Sequence, residues 1–189
     1  MILSLNLAII MSQVNTDLQF DHAVKKCREI FLKKTKDYGT SWRVYRPISV
    51  ADQIYIKAKR IRNIQEKGTQ KIDDDITGEF RGVLNYAVIG LIQLDINDDE
   101  AEELSVEETL KFYDEKILSA KNLMQNKNHD YGEAWRDMSM ESFVDLILAK
   151  ILRIKQIIRN QGKTLMSEGI DANFYDILNY AVFALILSD

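Results

Sequence analysis

The chain is poor in everything that interrupts a helix: in 189 residues it has one proline, Pro47, and eight glycines, so little breaks long helical runs. A lone cysteine, Cys27, excludes an internal disulfide and fits a reducing, cytoplasmic setting. No window alternates apolar and polar residues for long enough to make a strand, which points to an all-α fold. The first ten residues, MILSLNLAII, are apolar, but no Lys or Arg precedes Lys25 and no small-residue cleavage site follows, so they do not read as a signal peptide. They are also too short to span a bilayer. The other apolar runs are cut by charges, which argues for a soluble protein without a membrane partner. Met11 is then the expected natural start, or residues 1–16 are loosely attached. The alternative is a short apolar segment that packs on the domain or on a partner.

What is present is a chain that repeats itself. Matching Phe20 to Tyr113 and Asp21 to Asp114 sets an offset of 93, which carries Asp37, Tyr38, Gly39, Trp42 and Arg43 onto Asp130, Tyr131, Gly132, Trp135 and Arg136. The register continues through Asp52 and Asp145, Lys57 and Lys150, and Arg60 and Arg153. One inserted residue then moves the offset to 94, so that Gly68 meets Gly162, Ile76 meets Ile170 and the LNYAV of 84–88 meets that of 178–182. Agreement over this length marks an internal duplication. The chain divides into a segment 1–16, a first copy 17–94, an acidic linker 95–109 and a second copy 110–189, the copies forming one compact domain.

Apolar periodicity predicts three helices in each copy. The first copy has one from Leu18 through Lys36, one after Pro47 with Ser49 as its N-cap ending near Gly68, and one from Asp75 to Leu94. The second copy repeats them over Leu110–Lys127, Ser139–Asn160 and Ile170–Ser188. The third helices are apolar on most sides and should be central, with the halves paired about a pseudo-twofold axis as a homodimer of single copies would be. Homodimerisation of the whole chain stays open.

Net charge is −4, yet segment 25–71 holds fourteen basic against four acidic residues, and segment 73–108 one against twelve. Helix faces that attract one another across the fold account for this, and so does a site for an anion such as phosphate. The acidic half and the want of a recognition helix argue against nucleic acid.

The repeated polar residues are the candidates for chemistry. Gly39 and Gly132 read as helix C-caps, with Tyr38, Trp42, Tyr131 and Trp135 either pinning the loop or walling a pocket for a planar base. Arg43 and Arg136 then face phosphate. Lys57 and Arg60, like Lys150 and Arg153, share a helix face, a poor choice for stability alone, which a solvated face, acidic neighbours in the fold or an anion site would each explain. Asp52 and Asp145 lie about 140° around the helix from those lysines, placed to bridge to another helix or to hold a metal. On the third helix, Glu79 and Gly82 of the first copy meet Asn173 and Asp176 of the second. Superposed, they make an E-x-x-D pair of the kind that holds Mg²⁺. Either the copies pool their carboxylates in one composite site, or both sites have decayed. Asn85 and Asn179, just beyond, are candidates to read a base or sugar. His22 and His129 do not recur at matched positions and receive no metal or acid–base role.

The DYG-x-x-W loop, the K-x-x-R-I helix and the third-helix motif ending in Asn-Tyr together resemble the nucleotide-modification-associated domain 1 family. The resemblance runs over roughly 21–94 and 114–187. More distantly, the helical pattern is similar to the MazG-like all-α nucleotide pyrophosphohydrolases. Those hold Mg²⁺ on an E-x-x-E pair and an E-x-x-D pair and split nucleoside triphosphates into monophosphate and pyrophosphate. Only Glu79 and Asp176 match the second pair, and the first has no full match. The resemblance implies a protein that binds a nucleotide or another phosphate-bearing small molecule. It leaves open a Mg-dependent pyrophosphohydrolase or a non-catalytic regulatory module with degraded metal sites. In either case Lys57, Arg60, Lys150 and Arg153 would grip phosphate, and in the first Asp52, Glu79, Asp145 and Asp176 would be the candidate Mg²⁺ ligands.

Overall fold

A computed structural model describes residues 2–69, 75–96, 103–166 and 168–188, with side chains from Asn15 onward. Its order is α1 (Ile2–Tyr38), α2 (Pro47–Lys67), α3 (Ile76–Asp95), α4 (Val106–Tyr131), α5 (Met140–Arg159) and α6 (Ile170–Ser188). A short 3₁₀ turn precedes α2 at Ser41–Val44 and α5 at Ala134–Asp137. Among the described residues there is no strand, so the fold is all-α. The backbone of 2–14 continues α1 without a break. The expectation of a loosely attached segment 1–16 falls on residues whose side chains, up to 14, lie outside those described. Residues 97–102 of the acidic linker lie outside them too.

Helix ends follow local chemistry. Asp75 caps α3 by accepting from the Gly78 N–H at 2.5 Å. Ser105 opens α4 with a reciprocal capping box to Glu108, and Ser139 caps α5, each satisfying amide groups that the first turn leaves unpaired. Helix α2 departs from the sequence expectation. It begins at Pro47, with Arg46 in the capping position, so Ser49 lies inside the first turn. Proline's fixed φ and missing N–H suit that first position, and the helix needs no serine there.

The six helices build a single core in which α3 packs extensively on α6, with α2 against α3 and α5 against α6. Phe80, Val83, Leu84, Phe174, Ile177 and Leu178 are fully buried there. A Cβ placed on Gly90 of α3 would lie 2.7 Å from the Phe174 ring of α6, so the late turns of one helix face the early turns of the other. Helix α6 has the length and apolarity to cross a membrane, yet 67% of that stretch is buried by its neighbours.

Surface ion pairs report the symmetry. Arg28 bonds Asp114 at 2.6 and 2.8 Å, and Lys121 bonds Asp21 at 2.7 Å. Arg62 pairs with Asp145, and Lys155 with Asp52 at 2.5 Å. In the 93-residue register each of these is the other member's counterpart. Such reciprocity is the mark of an isologous interface, here inside one chain.

Candidate functional site

The loop that repeats in the sequence is first a piece of architecture. Gly39 and Gly132 both hold φ near +63°, and each donates its N–H at 2.9 Å to a carbonyl of the preceding turn, Thr35 and Asn128. A left-handed residue that ends a helix this way is cheapest as glycine. Trp42 and Trp135 then fold inward and are buried, while Tyr38 and Tyr131 stay exposed. Neither indole N–H has an acceptor among the described residues. The two arginines hold the loop in place. Arg43 donates to Gln93 at 2.5 Å, and Gln93 returns bonds to the carbonyls of Arg43 and Tyr45 at 2.9 and 2.6 Å. Arg136 donates to Glu133 at 2.8 Å, to Thr16 at 2.6 Å and to Gln19 at 2.8 Å, and lies 4.3 Å from the Trp135 ring.

The carboxylates are each committed to cations. Glu79 is buried, and it accepts from Lys57 at 3.0 Å and from Arg60. Asp176 is buried and accepts from Lys127 at 2.6 Å and from Lys150. Burial alone would raise the Asp176 carboxyl, but the two lysines outweigh it and hold its pKa below the ordinary carboxylate value. Lys127, opposed by its own desolvation, is raised by the same contact. Thus the anion that Lys57 and Arg60 grip is the protein's own Glu79, and the one that Lys150 grips is Asp176. Arg153 is exposed on α5.

Because α3 and α6 run antiparallel, Glu79 and Asp176 stand toward opposite ends of the central pair, and each faces its own copy's α2 or α5. Asp52 and Asp145 are largely exposed and bridge α2 to α5. Among the described residues no three His, Cys, Asp or Glu side chains gather as a metal site. The four proposed Mg²⁺ ligands therefore do not fit that ion. Their oxygens are taken by lysine and arginine, and they do not converge as hard-cation coordination requires.

The asparagines belong to the core. Asn85 donates to the Cys27 carbonyl at 3.1 Å and accepts from the Tyr113 hydroxyl at 2.9 Å. Asn179 donates to the Ala120 carbonyl at 3.1 Å, and its side-chain oxygen has no partner among the described residues. The register explains the difference, since Phe20, which has no hydroxyl, stands where the other half has Tyr113. Burial pushes the Cys27 thiol up to about 12 and the Tyr113 phenol well above its usual value, so burial favours the protonated form of both.

What remains is a cavity of about 310 Å³ in the first copy, between the end of α1, the loop, α2 and α3. Lys34, Lys57 and Arg81 bring positive charge to it, and Tyr38, Trp42 and Tyr86 bring aromatic surface. Gly82 forms part of its floor. A Cβ there would meet the Lys57 side chain at 2.7 Å, so the missing side chain is what lets Lys57 lie across α3 to Glu79. Lys34 and Arg81 make no ion pair among the described residues. Sequence reasoning passed over both. Lys34 has a signal, its match to Lys127. Arg81 has none, because Tyr175 stands at its counterpart and a search for agreement between copies does not see it.

Comparison with known protein families matches nucleotide modification associated domain 1 twice, over residues 34–94 and 127–187. No curated protein and no solved structure matches, so these comparisons do not show the expected likeness to MazG-like enzymes. The two matches span more than half of the chain and coincide with its two copies, and the chain belongs to the nucleotide modification associated domain 1 family.

Proposed function

From membership of that family we propose that this chain binds a nucleotide, or a closely related phosphate-bearing small molecule, in the cavity of its first copy. It acts as a binding module rather than as a hydrolase, in the cytoplasm, where the lone Cys27 stays a thiol. The observation that carries this reading is the convergence of Lys34 and Arg81, neither within ion-pair distance of a carboxylate among the described residues, with an aromatic wall in one cleft; Asp75 meets Arg81 only as a longer-range charge. Small-molecule sites run from about 300 to 1,000 Å³ and combine apolar lining with a few convergent polar groups. At 310 Å³ the cavity falls at the small end of that range.

Each group has a task. The Arg81 guanidinium offers a planar fork that matches two phosphate oxygens, and the Lys34 ammonium adds a mobile point charge. Lys57 is already shared with Glu79, so it moderates the field and does not supply a full free charge. Aromatic rings stack on any base, which gives affinity without strict base choice. Asn85 lines the cavity, but both ends of its amide are bonded elsewhere, so base discrimination does not fall to it. The carboxylates that would hold a divalent cation are occupied, so the reading includes no metal-dependent hydrolysis.

Calorimetry with nucleoside mono-, di- and triphosphates, with and without Mg²⁺, tests it. Binding should persist without Mg²⁺, release no phosphate and weaken by about tenfold or more in Arg81→Ala and Lys34→Ala. Turnover that needs Mg²⁺, or binding indifferent to both substitutions, would overturn the proposal.

A further inference from the structure

The two copies differ most where the cavity stands. In the first copy the end of α1 offers Lys34, α2 offers Lys57 and α3 offers Gly82, and the space between them is open. In the second the counterparts are Lys127, Lys150 and Asp176. There the two lysines converge on the Asp176 carboxylate, with Lys127 at 2.6 Å. Further along the cavity wall, Ile89 of α3 is replaced by Phe183 of α6. The Phe183 ring stacks on Trp135 with centroids 4.3 Å apart and planes 5° from parallel. Trp42 has no stacked ring among the described residues, only Phe31 tilted at 42° with centroids 6.4 Å apart, and it lines the cavity.

We propose that the second copy is permanently occupied by its own side chains: the Asp176 carboxylate takes the place of a ligand phosphate between Lys127 and Lys150, and the Phe183 ring takes the place of a ligand's planar ring on Trp135. The proposal rests on the reading of the first copy as a phosphate site. It sharpens that reading in two ways. It locates the phosphate of the bound ligand between Lys34 and Lys57 above Gly82, since that is where the other copy keeps its carboxylate. It also sets the stoichiometry at one ligand per chain, although the chain carries two copies of the fold.

The physical argument is one of charge and volume. Two lysines held within reach of the same point repel unless an anion lies between them. The second copy meets that need covalently, from the Cβ of residue 176. The first copy has a hydrogen atom at residue 82 and turns Lys57 aside to Glu79, a residue whose counterpart is Asn173. Arg81, present only in the first copy, then provides charge for a second face of the anion, while Tyr175 in the other copy does not. The Lys57 atoms that a Cβ at Gly82 would meet are the far end of a flexible chain, so an anion or a carboxylate there needs only that lysine to swing back.

The test exchanges the two residues in the full-length chain and counts sites by calorimetry with inorganic phosphate and adenosine 5′-monophosphate. Wild type should bind one equivalent. Asp176→Gly should bind a second equivalent of phosphate, and Asp176→Gly with Phe183→Ile a second equivalent of the nucleotide as well. Gly82→Asp should weaken the first site by at least about tenfold and raise the melting temperature without added ligand. Phosphate should raise the melting temperature of Asp176→Gly more than that of wild type, which reads the new site even if the variant is less stable. If wild type binds one equivalent and Asp176→Gly still binds one, this proposal is wrong and the first-copy reading stands. If wild type binds none and Asp176→Gly binds one, the first-copy reading is wrong and the self-occupation of the second copy stands. Gly82→Asp with undiminished affinity would also overturn the placement of the phosphate, and no uptake by either protein removes both readings.

Discussion

In the first copy Lys57 lies flat over Gly82 and shares Glu79 with Arg60, whereas in the second Lys150 and Lys127 close on Asp176. The same backbone register thus carries an open cleft on one side and a filled one on the other. After a duplication, identical positions are kept for the fold that both halves must build. Residues that differ between the halves are free of that duty, and on the proposed reading they decide which half takes a ligand. Agreement between copies then points to architecture, and disagreement to the proposed site.

Substitutions can break or sharpen this contrast. The largest effect is expected from Phe183→Ala, which removes the ring stacked on Trp135 and should cost about 3–4 kcal/mol in chemical denaturation. The matching Ile89→Ala should cost about 2–3 kcal/mol, because its side chain already borders open space. Equal losses would mean that the two cavities are equally filled.

Next is Asp176→Ala, expected to cost about 2–3 kcal/mol, since it strands Lys127 and Lys150 together, with the loss tempered by the solvent that reaches Lys127. The same contact sets a pH dependence. The Asp176 pKa is held below the ordinary carboxylate value. Its contribution is therefore complete above that ordinary value and is lost as pH falls through the lowered one. Melting curves from neutral to strongly acidic pH should show this loss in wild type and a shallower one in Asp176→Asn. Lys127, whose pKa is raised, adds the opposite edge, with stability lost only as pH climbs above the usual lysine range.

A smaller contrast separates the asparagines. Asn85→Ala abandons the Cys27 carbonyl and the Tyr113 hydroxyl and should cost about 2 kcal/mol. Asn179→Ala abandons one carbonyl and should cost about 1 kcal/mol. Phe20→Tyr would offer Asn179 the partner it lacks. If Asn179→Ala proves the more damaging, the account of the two amides fails.

The smallest effects belong to the cross-copy ion pairs. Arg62→Ala and Lys155→Ala should each change stability by less than about 1 kcal/mol, because their aspartates are exposed, with Lys155→Ala the larger because Lys155 also lies 4.5 Å from the Tyr55 ring centroid, where the matched position is Leu148. A larger loss in Arg62→Ala would show that the Tyr55 contact adds nothing.

Much of the fold was legible because its signals are local. Gly39 and Gly132 announce helix ends by a backbone conformation few other residues accept. The third helix was expected from Asp75 to Leu94 and runs from Ile76 to Asp95 behind its Asp75 cap. Ser49 misled because serine suits a cap in general, while Pro47 two residues earlier already starts the helix. The site was less legible. Lys57, Arg60 and Lys150 stood out as positions for a ligand's phosphate, and in the fold each meets a carboxylate of the chain itself, which their spacing along one helix does not foretell. Asp52 and Asp145 were placed to bridge helices or bind metal, and their bridges to Lys155 and Arg62 needed the partner helix to be known. Arg81 had no repeat to advertise it.

The sequence by itself determined the duplication, the helical class, three helices per copy and the family, because periodicity, capping and motif recurrence are written in neighbouring residues. The tertiary structure alone decided that Glu79 and Asp176 stand apart, that Asn85 and Asn179 serve the core, and that Gly82 leaves an opening bordered by Lys34 and Arg81. Those outcomes depend on distances between helices far apart in the chain, where the absence of one side chain matters as much as the presence of another.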